Sequence, residues 1–195
     1  MSMKIQRGIS MIEVVVTIAI MGILMAAAMP SLGDWLRNSK VRNTAESIQN
    51  GLQLARMEAV RRNRPVSFSL VSSLANTCAL SATSGSWVVS GDGNPAGQCG
   101  AANSTTVAPQ MAAKGSVSDG GGASVAGWNA ANTAATTATF NGFGMLTGAS
   151  SLRRIEITRS DGGFPRRVEI TTGGVSRLCD PMLSITSGDT RACTQ

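Results

Sequence analysis

From Ile9 to Met29 the chain runs 21 residues with a single charge, Glu13. A helix rises 1.5 Å per residue, so this run would reach about 31 Å, close to the roughly 30 Å hydrocarbon thickness of a bilayer. Such a segment crosses a membrane or is buried by neighbouring chains, and whatever follows must fold at one end of an apolar rod. Lys4 and Arg7 precede it; by the positive-inside rule they keep the N-terminus cytoplasmic and send the chain after Pro30 to the far side. Ala26-Ala27-Ala28 also suits a signal peptidase, so a cleaved secretory signal is a competing reading. Against it, the run exceeds the usual h-region of about 7 to 15 residues and contains a carboxylate. An ionisable group in an apolar span costs about 2.5–3.5 kcal/mol at the centre, less near an end, so Glu13 asks for a role.

Gly8, Ile9 and Glu13 together resemble the class III signal of type IV pilins and type II secretion pseudopilins. The resemblance implies that residues 1–8 are a leader removed after Gly8 by a prepilin peptidase, and that Ile9 becomes the first, N-methylated residue. Glu13 is then fifth and serves assembly. Ile9 departs from the Phe or Met more usual there. A carboxylate in an apolar helix is unfavourable alone but favourable beside the amine of a neighbouring subunit's first residue, which would fix the axial offset between subunits. A Glu13 hydrated near the headgroups is the plainer alternative.

Pro30 cannot donate a backbone hydrogen bond and is expected to kink or loosen the helix. Beyond it, Val41, Ala45, Ile48, Leu52, Ala55 and Ala59 recur at steps of four and three, one apolar stripe on a helix running to about Arg62. Arg42, Glu46, Gln49, Gln53, Arg56 and Arg61 lie opposite, with a Glu58–Arg62 pair at i, i+4. The stretch Leu52 to Arg62 has the pattern Leu-x-x-Ala-Arg-x-Glu-Ala-x-Arg-Arg and resembles the GspH/FimT family of minor pseudopilins and minor type IV pilins. The resemblance implies an α+β, type IV pilin-like fold. Residues 9–29 would be the transmembrane half of a long helix, 30–64 its amphipathic half, and 65–195 a β-rich head on an antiparallel sheet.

Within that head, Val66 to Ser72, Ser86 to Ser90, Thr136 to Phe140, Leu152 to Thr158, Pro165 to Thr171 and Val175 to Cys179 read as short strands. Ser160-Asp161-Gly162-Gly163 is a hairpin turn signal. Ile155 with Ile157, and Val168 with Ile170, give each hairpin strand an apolar face. Residues at about 100–135 are rich in Gly, Ala, Ser and Asn without clear period, and are expected to be a loose surface loop. Gly120-Gly121-Gly122 is not a phosphate loop, because no Gly-Lys-Ser/Thr follows it.

Cys78, Cys99, Cys179 and Cys193 all follow the apolar segment. An even count in a head exported to an oxidising compartment reads as two disulfides with three open connectivities. Cys78 with Cys99 and Cys179 with Cys193 is the favoured set, the second closing a loop worth about 3 kcal/mol in the chain-entropy picture. Zinc would need closer Cys spacing or His, and Asp92-Gly93-Asn94 lacks the further oxygens of a calcium loop, so no metal and no cofactor is expected.

The chain has no His, which removes the Ser-His-Asp, Cys-His and HExxH chemistries, and no carboxylate spacing suggests an enzyme. The leading expectation is a minor pilin or pseudopilin at or near the tip of a type IV pilus or a type II secretion pseudopilus. It would be a single-pass protein of the bacterial inner membrane, N-terminus cytoplasmic and head periplasmic. Its implied partners are other minor and major pilins, the assembly platform and motor, and the prepilin peptidase. The second expectation is DNA capture. The formal charge is +6, and Arg177 in Gly174-Val175-Ser176-Arg177 keeps one arginine of the family's Gly-Arg-x-Arg motif. Arg153, Arg154, Arg159, Arg166 and Arg167 lie nearby in sequence, but Glu156 and Glu169 alternate with them, as on a charge-compensated sheet face.

Overall fold

The computed structural model describes residues 9–91, 93–116 and 123–194, without the side chains of 27–31 and 187. The leader with Gly8, Asp92, and Gly120-Gly121-Gly122 lie outside the described residues. One helix, α1 (Met11–Arg62), carries through Pro30. The chain divides after Leu36 into an N-terminal unit and a head, Arg37–Gln195.

In the head, all six residues of the stripe from Val41 to Ala59 are fully buried. Burying Val41, Ile48 and Leu52 contributes about 1.5–3 kcal/mol each, whereas the three alanines mainly allow close approach. Gly51 belongs to the same face. A Cβ there would stand 2.8 Å from Phe68 and 2.9 Å from Trp87, whose rings stack at 5.7 Å. Trp87 is held by its Nε1, which donates to Ser47 Oγ at 3.1 Å. Buried Thr44 donates its hydroxyl to the Lys40 carbonyl at 2.8 Å, which satisfies it within the helix. The helix stops at Asn63, left-handed at φ +49°, where the N–H groups of Asn63 and Arg64 donate back to the carbonyls of Val60 and Ala59.

Among the described residues, nine strands form two antiparallel sheets. The first has β1 (Val66–Leu70), β2 (Trp87–Ser90), β3 (Met111–Gly115), β5 (Thr137–Phe140) and β6 (Leu146–Thr147) in the order β3-β2-β1-β5-β6. The second has β4 (Ala123–Trp128), β7 (Arg154–Arg159), β8 (Arg166–Ile170) and β9 (Ser176–Cys179) in the order β4-β7-β8-β9. Both turn apolar faces to the helix stripe: Phe68, Leu70 and Phe140 from one, Ile155, Ile157, Val168 and Ile170 from the other, all fully buried. The β7–β8 hairpin closes at the expected turn, with Arg159 and Gly163 hydrogen bonded and Gly162 at φ +82°. On the other side of the first sheet, Ser67 pairs with Thr139 and Ser69 with Thr137 through their hydroxyls at 2.9 and 3.2 Å. A satellite core of Val71, Val88, Met111, Cys78 and Cys99 lies beside it.

The expected loose loop at 100–135 is corrected: β3 and β4 lie inside it. Met111 is 1% exposed, and Lys114 Nζ donates to the carbonyls of Gly100 and Ala101 at 3.2 and 3.1 Å, pinning the preceding segment to β3. These strands are built from small residues because large neighbours need the space. A Cβ on Gly115 would meet the Trp87 indole at 2.5 Å, and one on Gly127 would meet the Ala135 carbonyl oxygen at 2.4 Å. Alternation disappears from a strand whose inward positions are glycine.

Candidate assembly interface and the charged sheet face

Ser10 begins the N-terminal helix. Its carbonyl accepts from the N–H groups of Glu13 and Val14, and its Oγ accepts from Glu13 N at 3.3 Å. Glu13 therefore occupies the first turn, where the helix dipole favours an anion. Ser-x-x-Glu is the spacing of a capping box, a signal at 10 and 13 that the pilin resemblance overshadows. After it, the described side chains from Met11 to Ala26 are exposed on every side of the helix, Val14, Val15 and Val16 covering three successive directions. Thr17 donates its hydroxyl to the Val14 carbonyl at 2.9 Å, so even this polar group looks inward to its own backbone. Among the described residues no helix is long and apolar enough to cross a membrane; the described side chains of this run end at Ala26, while the sequence continues it through Met29.

The four cysteines are joined as Cys78–Cys99 and Cys179–Cys193, with Cα separations of 6.1 and 5.1 Å. Glu169 lies close to the sulfurs of Cys179 and Cys193, but both sulfurs are committed to a disulfide and offer no thiolate.

The arginines near the C-terminus line up across strands. Arg154 stands opposite Glu169, Glu156 opposite Arg167, and Glu169 opposite Arg177. Arg167 reaches Glu156 at 2.9 Å, and Arg166 reaches Asp180 at 2.6 Å. Arg177 donates Nε and Nη2 to Glu169 Oε2 at 3.2 and 3.0 Å, and Nη2 also to the Ala192 carbonyl and to Thr194 Oγ1 at 3.0 Å each. This places the singled-out arginine in a clamp on the C-terminal segment. Gly174 sits at φ +76°, where a Cβ would stand 1.9 Å from the Gly144 carbonyl oxygen, so close packing explains the glycine. Glu169, 1% exposed, is the organising residue of this face; its alternation with arginines reads in sequence as surface. On α1, the Arg61 guanidinium hydrogen-bonded to Glu58 holds the Glu58 carboxyl below its ordinary range, with Arg62 adding to the effect and burial opposing it.

Comparison with known proteins follows the same division of the chain. The family described as type II transport protein GspH matches residues 44–174, more than half of the chain, and the prokaryotic N-terminal methylation motif matches residues 3–29. The type IV minor pilin FimU of Pseudomonas aeruginosa is similar in two crystal forms. One gives a TM-score of 0.48 at 17% identity over 73% of this chain and 90% of that one; the other gives 0.41 at 19% over 71% and 92%. No curated protein matches the sequence. The stripe, the Leu52–Arg62 pattern, the two sheets and the methylation motif converge: this chain belongs to the GspH family, as a minor pilin of the GspH/FimT type.

Proposed function

We propose that the chain is a membrane-anchored filament subunit that assembles at or near the tip of a type IV pilus or a type II secretion pseudopilus. In this reading residues 9–29 span the inner membrane with the head in the periplasm, cleavage after Gly8 frees Ile9 for methylation, and Pro30 is the bend. The partners are the other minor and major pilins, the assembly platform and the prepilin peptidase. One observation carries the reading: Glu13 stands alone among uncovered apolar side chains, fifth from the Gly8–Ile9 junction. A favourable helix-dipole position is worth about 0.3–1 kcal/mol. A charge in an apolar span costs about 2.5–3.5 kcal/mol at its centre. The cost falls toward the end of the span, where Glu13 lies; an ion pair with a neighbouring subunit's N-terminal amine gives the carboxylate a cationic partner that the cap does not.

The test is the mature N-terminus together with a Glu13 variant. Mass spectrometry of membrane-extracted protein should show a chain beginning at methylated Ile9. Glu13→Val should leave membrane content unchanged or raised while depleting the protein from sheared filaments. A chain starting at Met29, or equal incorporation of the variant, would sink the proposal. For DNA capture, Arg177 would have to leave Glu169 and the C-terminal segment, which it already binds. A shift assay across a salt series is its test, since phosphate contacts weaken steeply as salt rises.

A further inference from the structure

Three elements of the head meet at a patch that is apolar and uncovered. Met57 and Val60 project from α1, Phe143 and Met145 from the β5–β6 turn, and Val175 from the β8–β9 turn; Phe143 is 82% exposed. Gly144 joins them. Arg56 donates Nε to its carbonyl at 3.1 Å, a Cβ on it would stand 3.1 Å from Val60 Cγ2, and Gly174 packs against its carbonyl oxygen. Open grooves flank Met57: about 340 Å³ lined by Arg56, Met57, Val60 and Arg61, and about 260 Å³ reaching Gln53, Gly174 and Val175. Scattered exposed apolar residues need no explanation, but five on segments that meet around Gly144 do.

The turn carrying Phe143 is firmly built. Asn141 Oδ1 accepts from the N–H groups of Phe143 and Met145, both at 3.0 Å. The backbones of Asn141 and Met145 bond at 2.9 Å, and Gly144 N donates to the Asn141 carbonyl at 2.8 Å. A phenyl ring held in water by such a turn loses little conformational freedom when covered, and aromatic anchors of this kind dominate interface energies. The rim is basic, with Arg56 and Arg61 lining the groove beside Met57 and Val60. Glu58, the carboxylate of this part of α1, already accepts from Arg61 and Arg62, each at 2.7 Å.

We propose that this patch docks the head of a different, neighbouring filament subunit, through an apolar surface on that subunit rimmed by carboxylates, with Phe143 as the anchor. The inference rests on the filament-subunit reading above. Charge complementarity selects the occupant: a second copy of this chain would set arginine rim against arginine rim. An anionic lipid surface also attracts a basic rim, but a rigid aromatic turn beside grooves on both sides of Met57 fits a shaped protein surface.

The test uses the full chain in cells assembling the filament. Phe143→p-benzoylphenylalanine is photolysed and the adducts are identified by mass spectrometry, with Val16→p-benzoylphenylalanine reporting helix packing and Val107→p-benzoylphenylalanine, at another exposed site, giving background. The expected result is an adduct from position 143 to another chain bearing a prepilin-type N-terminus, at a segment combining apolar residues with Asp or Glu. Adding Met57→Glu, or separately Val175→Asp, should lower that adduct about fivefold or more, as loss of a hot-spot contact does. Both positions are exposed, and an unchanged melting temperature certifies the fold. An adduct from position 16 with none from 143 overturns the docking proposal alone, as does capture of phospholipid or a second copy, or indifference to both added variants. Absence of adducts from both positions overturns the filament reading, and this inference with it.

Discussion

Glu169 takes hold of Thr194 from 25 residues away, its buried carboxylate accepting the Thr194 N–H at 3.0 Å and the Thr194 hydroxyl at 2.9 Å. With Arg177 on the same oxygen and the Cys179–Cys193 disulfide beside it, the last residues of the chain close over the charged face of the second sheet. The C-terminal segment is thus a structural part of the head, and the basic residues beneath it are paired inside the fold.

Breaking the clamp from one side should be costly. Arg177→Met removes the nearer of the two guanidiniums facing the buried Glu169 carboxylate and leaves Arg167 Nη1 at 3.9 Å, so the loss should fall at or below the low end of the about 3–5 kcal/mol typical of breaking a buried pair from one side. Arg177→Met with Glu169→Leu should recover part of that loss, because the buried charge goes too. Thermal melting of both variants of the head measures this; a double variant less stable than the single would contradict it. The same melts are needed before any binding defect of an Arg177 variant is read as loss of a DNA contact.

Cys179→Ser together with Cys193→Ser should lower stability by about 2–5 kcal/mol, as loss of a native disulfide from a small exported domain does. The head's stripe is half alanine, so the apolar core has little to spare. Hydrogen exchange should increase over the last fifteen or so residues, including the Thr194 amide. Because Glu169 and the disulfide restrain the same segment, a cycle combining this pair with Glu169→Gln should show strong non-additivity. Additive losses would mean that the two restraints act independently.

Much of this architecture is legible in the residues. The stripe on α1 and the Ile155/Ile157 and Val168/Ile170 faces are periodic and apolar, so their burial follows from pattern alone. Glu13 is visible as a lone charge. β3 and β4 are not, because Gly115 and Gly127 take the inward places that an apolar residue would mark. Glu169 reads as one more member of an alternating charged strand; its burial comes from a segment 25 residues on that only the disulfide and the fold bring back. Phe143 sits in Asn-Gly-Phe-Gly, a polar turn signal in which nothing marks the ring as the most exposed large apolar residue among those described in the head.

Glu58 should supply a pH-dependent part of the stability. Hydrogen bonding from Arg61, then from Arg62, holds its carboxyl below the ordinary value of 4.5. A carboxylate whose folded pKa is depressed contributes stability that is full above the ordinary value and lost as pH falls through the lowered one. Glu58→Gln should therefore melt below the wild type at neutral pH, by under about 1 kcal/mol for partly exposed helix pairs, and the gap should close on acidification below 4.5. A gap that persists unchanged at acid pH would assign the loss to packing.

Gly51→Ala sets helix propensity against packing, and packing should win. Mid-helix, the substitution gains up to about 1 kcal/mol from reduced backbone entropy. The added methyl, however, would stand 2.8 Å from Phe68 Cε2 and 2.9 Å from Trp87 Cδ2 and Cε3. These are ring atoms in a stacked pair, and Trp87 is further tied by Nε1 to Ser47 and by its edge against Gly115, so neither ring has room to withdraw. Overpacking a filled core costs about 1–3 kcal/mol, so the net change should be destabilising despite the better helix former. Thermal melting of the head should show Gly51→Ala below wild type, and Gly51→Ala with Trp87→Leu, which vacates ring volume, should lose less than Trp87→Leu and Gly51→Ala summed. A Gly51→Ala head that melts at or above the wild-type temperature would show that the helix and the Phe68–Trp87 pair can move apart, and that this contact does not set the distance between α1 and the first sheet.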